Sequence, residues 1–127
     1  MFSTIAVIAA GGAAGSVARH FANTGLSALF KTSFPAGILI VNVLGCFLMG
    51  VLVALFAAKL NVPQEGKLFL TVGFLGGFTT FSAFSLDTMN LWTRGDVTGA
   101  VLYVLASVIL SILAVFAGSW IVWRFFS

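Results

Sequence analysis

The feature that most constrains this chain is where its charges are absent. Nine residues carry a formal charge, Arg19, Lys31, Lys59, Glu65, Lys67, Asp87, Arg94, Asp96 and Arg124, and between them lie uncharged intervals at 1–18, 32–58, 68–86 and 97–123. These intervals hold 18, 27, 19 and 27 residues. A helix needs about 20 apolar residues to cross a hydrocarbon core of about 30 Å, so the pattern predicts four spans joined by short connections. Composition agrees: of 127 residues 61% are hydrophobic and 7% charged, against about 25% charged in an ordinary globular domain. In water so short a chain would expose most of its 14 Phe, which excludes a soluble domain. Residues 1–127 therefore read as a single four-helix transmembrane domain.

Lipid requires the backbone to satisfy its own hydrogen bonds, as a helix or as a closed barrel. The intervals are too long for barrel strands of about 9 to 11 residues and lack their alternating polarity. The fold class is all-α, with helices expected near Ser3 to Thr24, Pro35 to Leu60, Glu65 to Thr93 and Asp96 to Phe125. Pro35 suits the first turn of the second helix, Asn61-Val62-Pro63 makes a short link, and Gly95 with Asp96 closes one helix and caps the next. Trp92, Trp120 and Trp123 fall near span ends as interfacial anchors. The first interval has no basic leader, and Arg19-His20 stands where a cleavage site would be expected, so it reads as a retained span. Gly11 with Gly15 and Gly73 with Gly77 have the four-residue spacing that lets membrane helices approach backbone to backbone.

With both termini and the 60–66 link on one side, that face carries Lys59, Lys67 and Arg124, and the other Lys31, Arg94 and Arg19. Because Lys and Arg bias sets membrane orientation, three against three predicts insertion both ways up. Two oppositely inserted copies reproduce what inverted repeats achieve within one chain, so an antiparallel homodimer of eight helices is expected.

The inventory for catalysis is thin: one His, one Cys and three acids, with no metal spacing, phosphate loop or triad. The chain is not expected to be an enzyme. His20 reads as an interfacial side chain and Cys46 as a small buried hydrophobe. The third span instead carries polarity without charge, in Gly76-Gly77-Phe78-Thr79-Thr80-Phe81-Ser82-Ala83-Phe84-Ser85. Two glycines followed by two threonines are poor helix formers, so a break is expected, with freed carbonyls able to hold a cation. The competing reading is a continuous helix with a packing groove.

Phe81 and Phe84 share a helical face, flanked by Ser82 and Ser85. Such a stripe is either simple packing or a ladder of electropositive ring edges that face an anion. Asn42 is the one amide deep in a span, read equally as an interhelical hydrogen bond or as a donor to an anion. Tyr103, Ser107 and Ser111 recur at four-residue intervals on the fourth span; they would line the same path or, for the serines, bond back to their own helix.

Three segments, Gly11 to His20, Pro35 to Gly45 and Gly73 to Ser85, resemble the signatures of the small fluoride channels known as Fluc or CrcB. The resemblance covers the whole chain, and the Gly-Gly-x-Thr-Thr-Phe-Ser run is its most specific part. It implies a passive fluoride-selective channel in a bacterial inner membrane, working as an antiparallel dual-topology dimer with two pores and a structural sodium ion at its centre. It further implies that Asn42 is the pore amide, that Phe81 and Phe84 form the ring-edge ladder, and that Tyr103, Ser107 and Ser111 line the pore. Ser82 and Ser85 flank that lining, Arg19 stands near the entrance, and Gly76 and Thr79 offer carbonyls to sodium. Fluoride and membrane lipid are then the partners, and nucleic acid is not. The chain departs from the usual family pattern at Ala83, where Thr is common, and at Asp87, where Glu is common.

The rival reading is a small dual-topology multidrug or cation exporter. Proton-coupled export needs a carboxylate inside the membrane, and Asp87, close to the end of the third span, is the only candidate.

Overall fold

The computed structural model describes residues 1–58 and 61–126. Six α-helices, α1 (Phe2–Phe30), α2 (Ala36–Ala57), α3 (Gln64–Leu68), α4 (Gly76–Phe78), α5 (Ser82–Thr93) and α6 (Val97–Phe126), are accompanied by a π-helical segment, Phe69–Leu75, and there is no strand among the described residues. Four stretches are long and apolar enough to cross a membrane: α1, α2, the run Gln64–Thr93, and α6. The fold class is thus the expected one. The expected end of the second helix, Leu60, lies outside the described residues.

The first helix runs six residues past its expected end. Asn23, Thr24 and Gly25 are weak helix formers but not terminators, and a side chain at Gly25 would meet open space. The helix stops at Lys31, whose left-handed backbone (φ 44°, ψ 45°) turns its N–H back onto the Ser27 carbonyl. At about 1.5 Å per residue, 29 residues span about 43 Å. Arg19 and His20 consequently lie well inside α1 rather than at its end. Without Arg19, the face count becomes Lys31 and Arg94 against Lys59, Lys67 and Arg124, with Lys59 outside the described residues.

The connection after α5 forms as its residues dictate. Gly95 adopts φ 84°, which glycine takes without steric cost. The Asp96 carboxylate then accepts the Gly99 N–H at 2.9 Å, capping α6. Trp92, Trp120 and Trp123 are more than half exposed near span ends, as interfacial anchors require.

The two glycine pairs face each other. A Cβ on Gly11 would lie 2.9 Å from the Phe74 nitrogen and 3.0 Å from the Gly73 Cα, and one on Gly77 would lie 2.6 Å from the Gly12 carbonyl oxygen. A Cβ on Gly15 would collide with the Phe74 carbonyl. Helix α1 therefore packs on the third span backbone against backbone, a seam only glycine allows. A second seam joins α2 to α6, where Gly50 meets the Val115 carbonyl, Gly118 meets the Phe47 carbonyl, and the Ser119 hydroxyl donates to the Gly50 carbonyl at 3.1 Å.

The third span is broken, but after the glycines rather than at them. Gly76 and Gly77 stay helical in α4, and the chain leaves the helix at Thr79 (φ −81°, ψ 155°) before α5 begins at Ser82. The π-helical turn just before it was not foreseen from sequence; π segments inside helices often accompany functional sites. The core gathers beyond the break, where Ile38, Phe84, Leu91, Ala100 and Tyr103 are all buried together.

Candidate functional site: the break and its groove

Two side chains from other helices hold the break. Asn42, on α2, donates its Nδ2–H to the Thr80 carbonyl at 3.0 Å and accepts the Thr80 N–H on Oδ1 at 2.8 Å. This paired clamp satisfies both backbone groups of a residue that has left the helix, the requirement lipid imposes. An amide has two N–H donors, so one remains beyond this pair. Both readings of Asn42 thus stay open on one side chain.

Arg19 approaches from α1, donating Nη1–H to the Gly77 carbonyl at 2.8 Å and to the Thr79 carbonyl at 3.2 Å. A charged residue at the centre of a span costs about 2.5–3.5 kcal/mol on insertion scales. A hydrogen bond to a charged group returns about 1.5–3 kcal/mol. Two such bonds are enough to hold the guanidinium there without a carboxylate. Arg19 stands on the seam side of the break and does not line the groove described next.

On the opposite side, α2, the break and α6 enclose an open groove of about 500 Å³. Asn42 and Cys46 line it from α2, Thr79, Thr80, Phe81 and Phe84 from the third span, and Ser107 and Ser111 from α6. Ser107 and Ser111 do not bond back to their own helix: their buried hydroxyls have no hydrogen-bond partner. The Cys46 thiol lies against Ser111 without the geometry of a hydrogen bond. Buried hydroxyls are normally satisfied, so an unpaired couple facing a groove marks a place for a polar guest.

The aromatic pair divides in two. Phe84 is 7% exposed and belongs to the core, whereas Phe81 is 76% exposed at the mouth of the groove. Their ring centroids lie 5.3 Å apart with planes at 64°, an edge-to-face contact.

The structure thus brings together Asn42, Phe81, Phe84, Ser107 and Ser111, with Gly76 and Thr79 at the floor. Besides Arg19, three expected lining residues stand elsewhere. Ser82 and Ser85 are exposed on the far side of α5, with Ser85 bonding back to the Phe81 carbonyl at 2.9 Å and Ser82 resting 3.3 Å from the Thr80 hydroxyl. Tyr103 is fully buried, its ring against Phe84 and Phe34 and its hydroxyl donated to Asp87 at 3.0 Å. Residues that flank the Phe pair in sequence need not share its face: Phe81 already has helical backbone and accepts the Ser85 N–H at 2.8 Å, and at 3.6 residues per turn each neighbour stands about 100° round the helix from the ring before it. Asp87 lies in the last third of the span Gln64–Thr93, as expected, and is tied to that tyrosine.

Sequence reasoning missed Thr80 and Cys46. Cys46 follows Asn42 by four residues and so shares its face, a signal that was legible. Thr80 was not: only the fold shows that its backbone pairs with Asn42. His20 is exposed with its ring edge on Phe21, and no cluster of metal-binding side chains exists among the described residues.

Fold and site together define a class: a small multi-pass helical membrane protein organised around a broken span and an uncharged polar groove. Such sites serve passage of a solute rather than covalent chemistry. The chain belongs to the CrcB family, whose description, CrcB-like protein, Camphor Resistance (CrcB), matches residues 6–119. It is similar to the fluoride-specific ion channel FluC of Rhizobium etli, 51% identical over 112 residues that cover 88% of this chain and 90% of the relative. The FluC of Agrobacterium fabrum is 51% identical over 114 residues, 90% of this chain and 91% of its own. FluC 1 of Nitrobacter hamburgensis is 48% identical over 118 residues, 93% and 94% of the two chains.

Proposed function

We propose that this protein is a passive, fluoride-selective channel, acting in a bacterial inner membrane as an antiparallel dual-topology homodimer with two pores and a central structural sodium ion. The observation that carries the channel reading is the groove itself, lined by Asn42 and by two serines with partnerless hydroxyls, Ser107 and Ser111, with no charged side chain among the lining residues. Conduction needs sites that bind weakly enough to release, which hydroxyls, amides and ring edges provide and a basic pocket does not. The names of the FluC relatives supply the ion. Fluoride is small and strongly hydrated, and a narrow passage with a few donors suits it.

Sodium would be held by the Gly76 and Thr79 carbonyls of two protomers. The donors that an unbroken helix would give these oxygens are diverted: the Thr80 N–H goes to Asn42, and the Ala83 N–H goes to the Thr80 hydroxyl at 3.0 Å, while the Thr79 carbonyl accepts from Arg19 at 3.2 Å and would have to share itself between that donor and the ion. Unwound carbonyls of this kind suit sodium, and the bound ion would supply a fixed positive potential to the anion path. Ser82 and Ser85, exposed on this protomer, would join the path only where a second protomer extends it.

Reconstitution into liposomes tests the function. Under a potassium gradient with valinomycin, fluoride efflux is expected to be rapid, independent of a proton gradient, and far above chloride efflux. Equal fluxes, or a requirement for protons, would overturn it.

A further inference from the structure

Arg19 does something different from lining an anion path. We infer that it is the positioning residue of the broken span, a guanidinium whose Nη1 stands in for the two helix donors the break removes from the Gly77 and Thr79 carbonyls. This rests on the channel reading for its functional consequence, but not for its geometry.

In an unbroken helix the Gly77 carbonyl accepts from the N–H four residues on, at Phe81, and the Thr79 carbonyl from that of Ala83. The chain leaves the helix at Thr79, and the Ala83 N–H is committed to the Thr80 hydroxyl. Two carbonyls buried in a membrane segment would thus be left without donors, a state lipid does not tolerate. The Arg19 guanidinium answers both, at 2.8 and 3.2 Å. It reaches them because the Gly12 and Gly15 positions bring α1 against the third span with no side chains between. Arg19 follows Gly12 by seven residues and Gly15 by four, so all three lie on one stripe of α1.

The division of labour around the break follows. Asn42 holds Thr80 from the groove side, and Arg19 holds Gly77 and Thr79 from the seam side. The break is therefore locked from two directions by side chains of this chain, with or without a cation. Because the Thr79 carbonyl accepts from Arg19, its direction is set by that side chain. Both bonds leave the same nitrogen, Nη1, which the planar guanidinium holds in a fixed orientation; a lysine keeps the charge and three donors but places them on a more flexible stem as a compact, strongly hydrated head.

The test separates the placement of the guanidinium from its charge. In Arg19→Lys and Arg19→Gln, fluoride efflux is expected to fall at least about tenfold, the scale of one lost charge-assisted hydrogen bond. Amide hydrogen exchange across 79–83 should quicken in both variants while the α2–α6 seam stays protected. Full flux and unchanged exchange in Arg19→Lys would overturn the inference and leave charge alone as the role. A measurement on the unaltered protein keeps the question open to refutation should the variants not fold. Solid-state NMR in bilayers, with the Gly77 and Thr79 carbonyls labelled with carbon-13 and arginine Nη with nitrogen-15, should show strong dipolar dephasing at both carbonyls; none at either would refute the contact. Repeating the exchange measurement on the unaltered protein in sodium and in choline tests the sodium reading separately, since insensitivity to sodium would remove that ion while leaving the Arg19 contacts to be judged by the other arms.

Discussion

The two sides of the broken third span are built on opposite rules. Toward α1 it shows only backbone: Gly11, Gly15, Gly73 and Gly77 bring two helices into contact without side chains, and Arg19 quenches the carbonyls the break releases. Toward α2 and α6 it shows side chains and leaves polarity unspent, in the Ser107 and Ser111 hydroxyls and one Asn42 N–H. The contrast teaches how a short chain holds irregular backbone inside lipid and still keeps a polar passage. One side ties the Gly77 and Thr79 carbonyls to Arg19, and the other keeps hydroxyls without partners.

Breaking the seam has the largest expected effect. Gly15→Ala sets a methyl group against the Phe74 carbonyl, and backbone cannot swing aside as a side chain does. The cost should exceed the usual overpacking range of about 1–3 kcal/mol, and size-exclusion chromatography should recover little folded protein. Asn42→Ala comes next. It strips the partner from both Thr80 backbone groups, each worth about 1–3 kcal/mol when left buried and unpaired; thermal stability should drop and fluoride efflux disappear.

The aromatic pair sharpens the comparison, because one ring is exposed and the other is core. Phe81→Ile should slow efflux at an unchanged melting temperature, whereas Phe84→Ile should lower both; unchanged flux in both variants would reduce the rings to packing. Ser107→Ala or Ser111→Ala should run the other way, slowing efflux without destabilising the fold, since each removes a buried hydroxyl that has no partner. Gly25→Ala, in open space on α1, should leave flux untouched and raise stability by at most about 1 kcal/mol, through helix propensity alone.

Much of this was legible before any coordinates. The charge-free intervals gave four spans because lipid penalises every buried charge and every unpaired backbone group, so length and charge position leave few alternatives. The spacing of Gly11 with Gly15 and of Gly73 with Gly77 announced close helix contact, and Gly95-Asp96 announced the last turn. Local signals were weaker where a terminator was absent, as at Asn23-Thr24-Gly25, where the helix simply continued.

What lay beyond the sequence was every relation between helices. That the two glycine pairs meet each other, that Asn42 closes on Thr80, that Arg19 turns to carbonyls some sixty residues away and that Ser82 and Ser85 turn from the groove are consequences of how the helices pack and where the third span breaks. The sequence alone determined the solvent, the number of spans and the polar residues available to a site. Tertiary structure decided which of those residues are consumed in holding the backbone and which are left free, because a hydrogen-bonding group in lipid takes whatever partner the fold brings within 3 Å or so, and only the packed helices specify that partner.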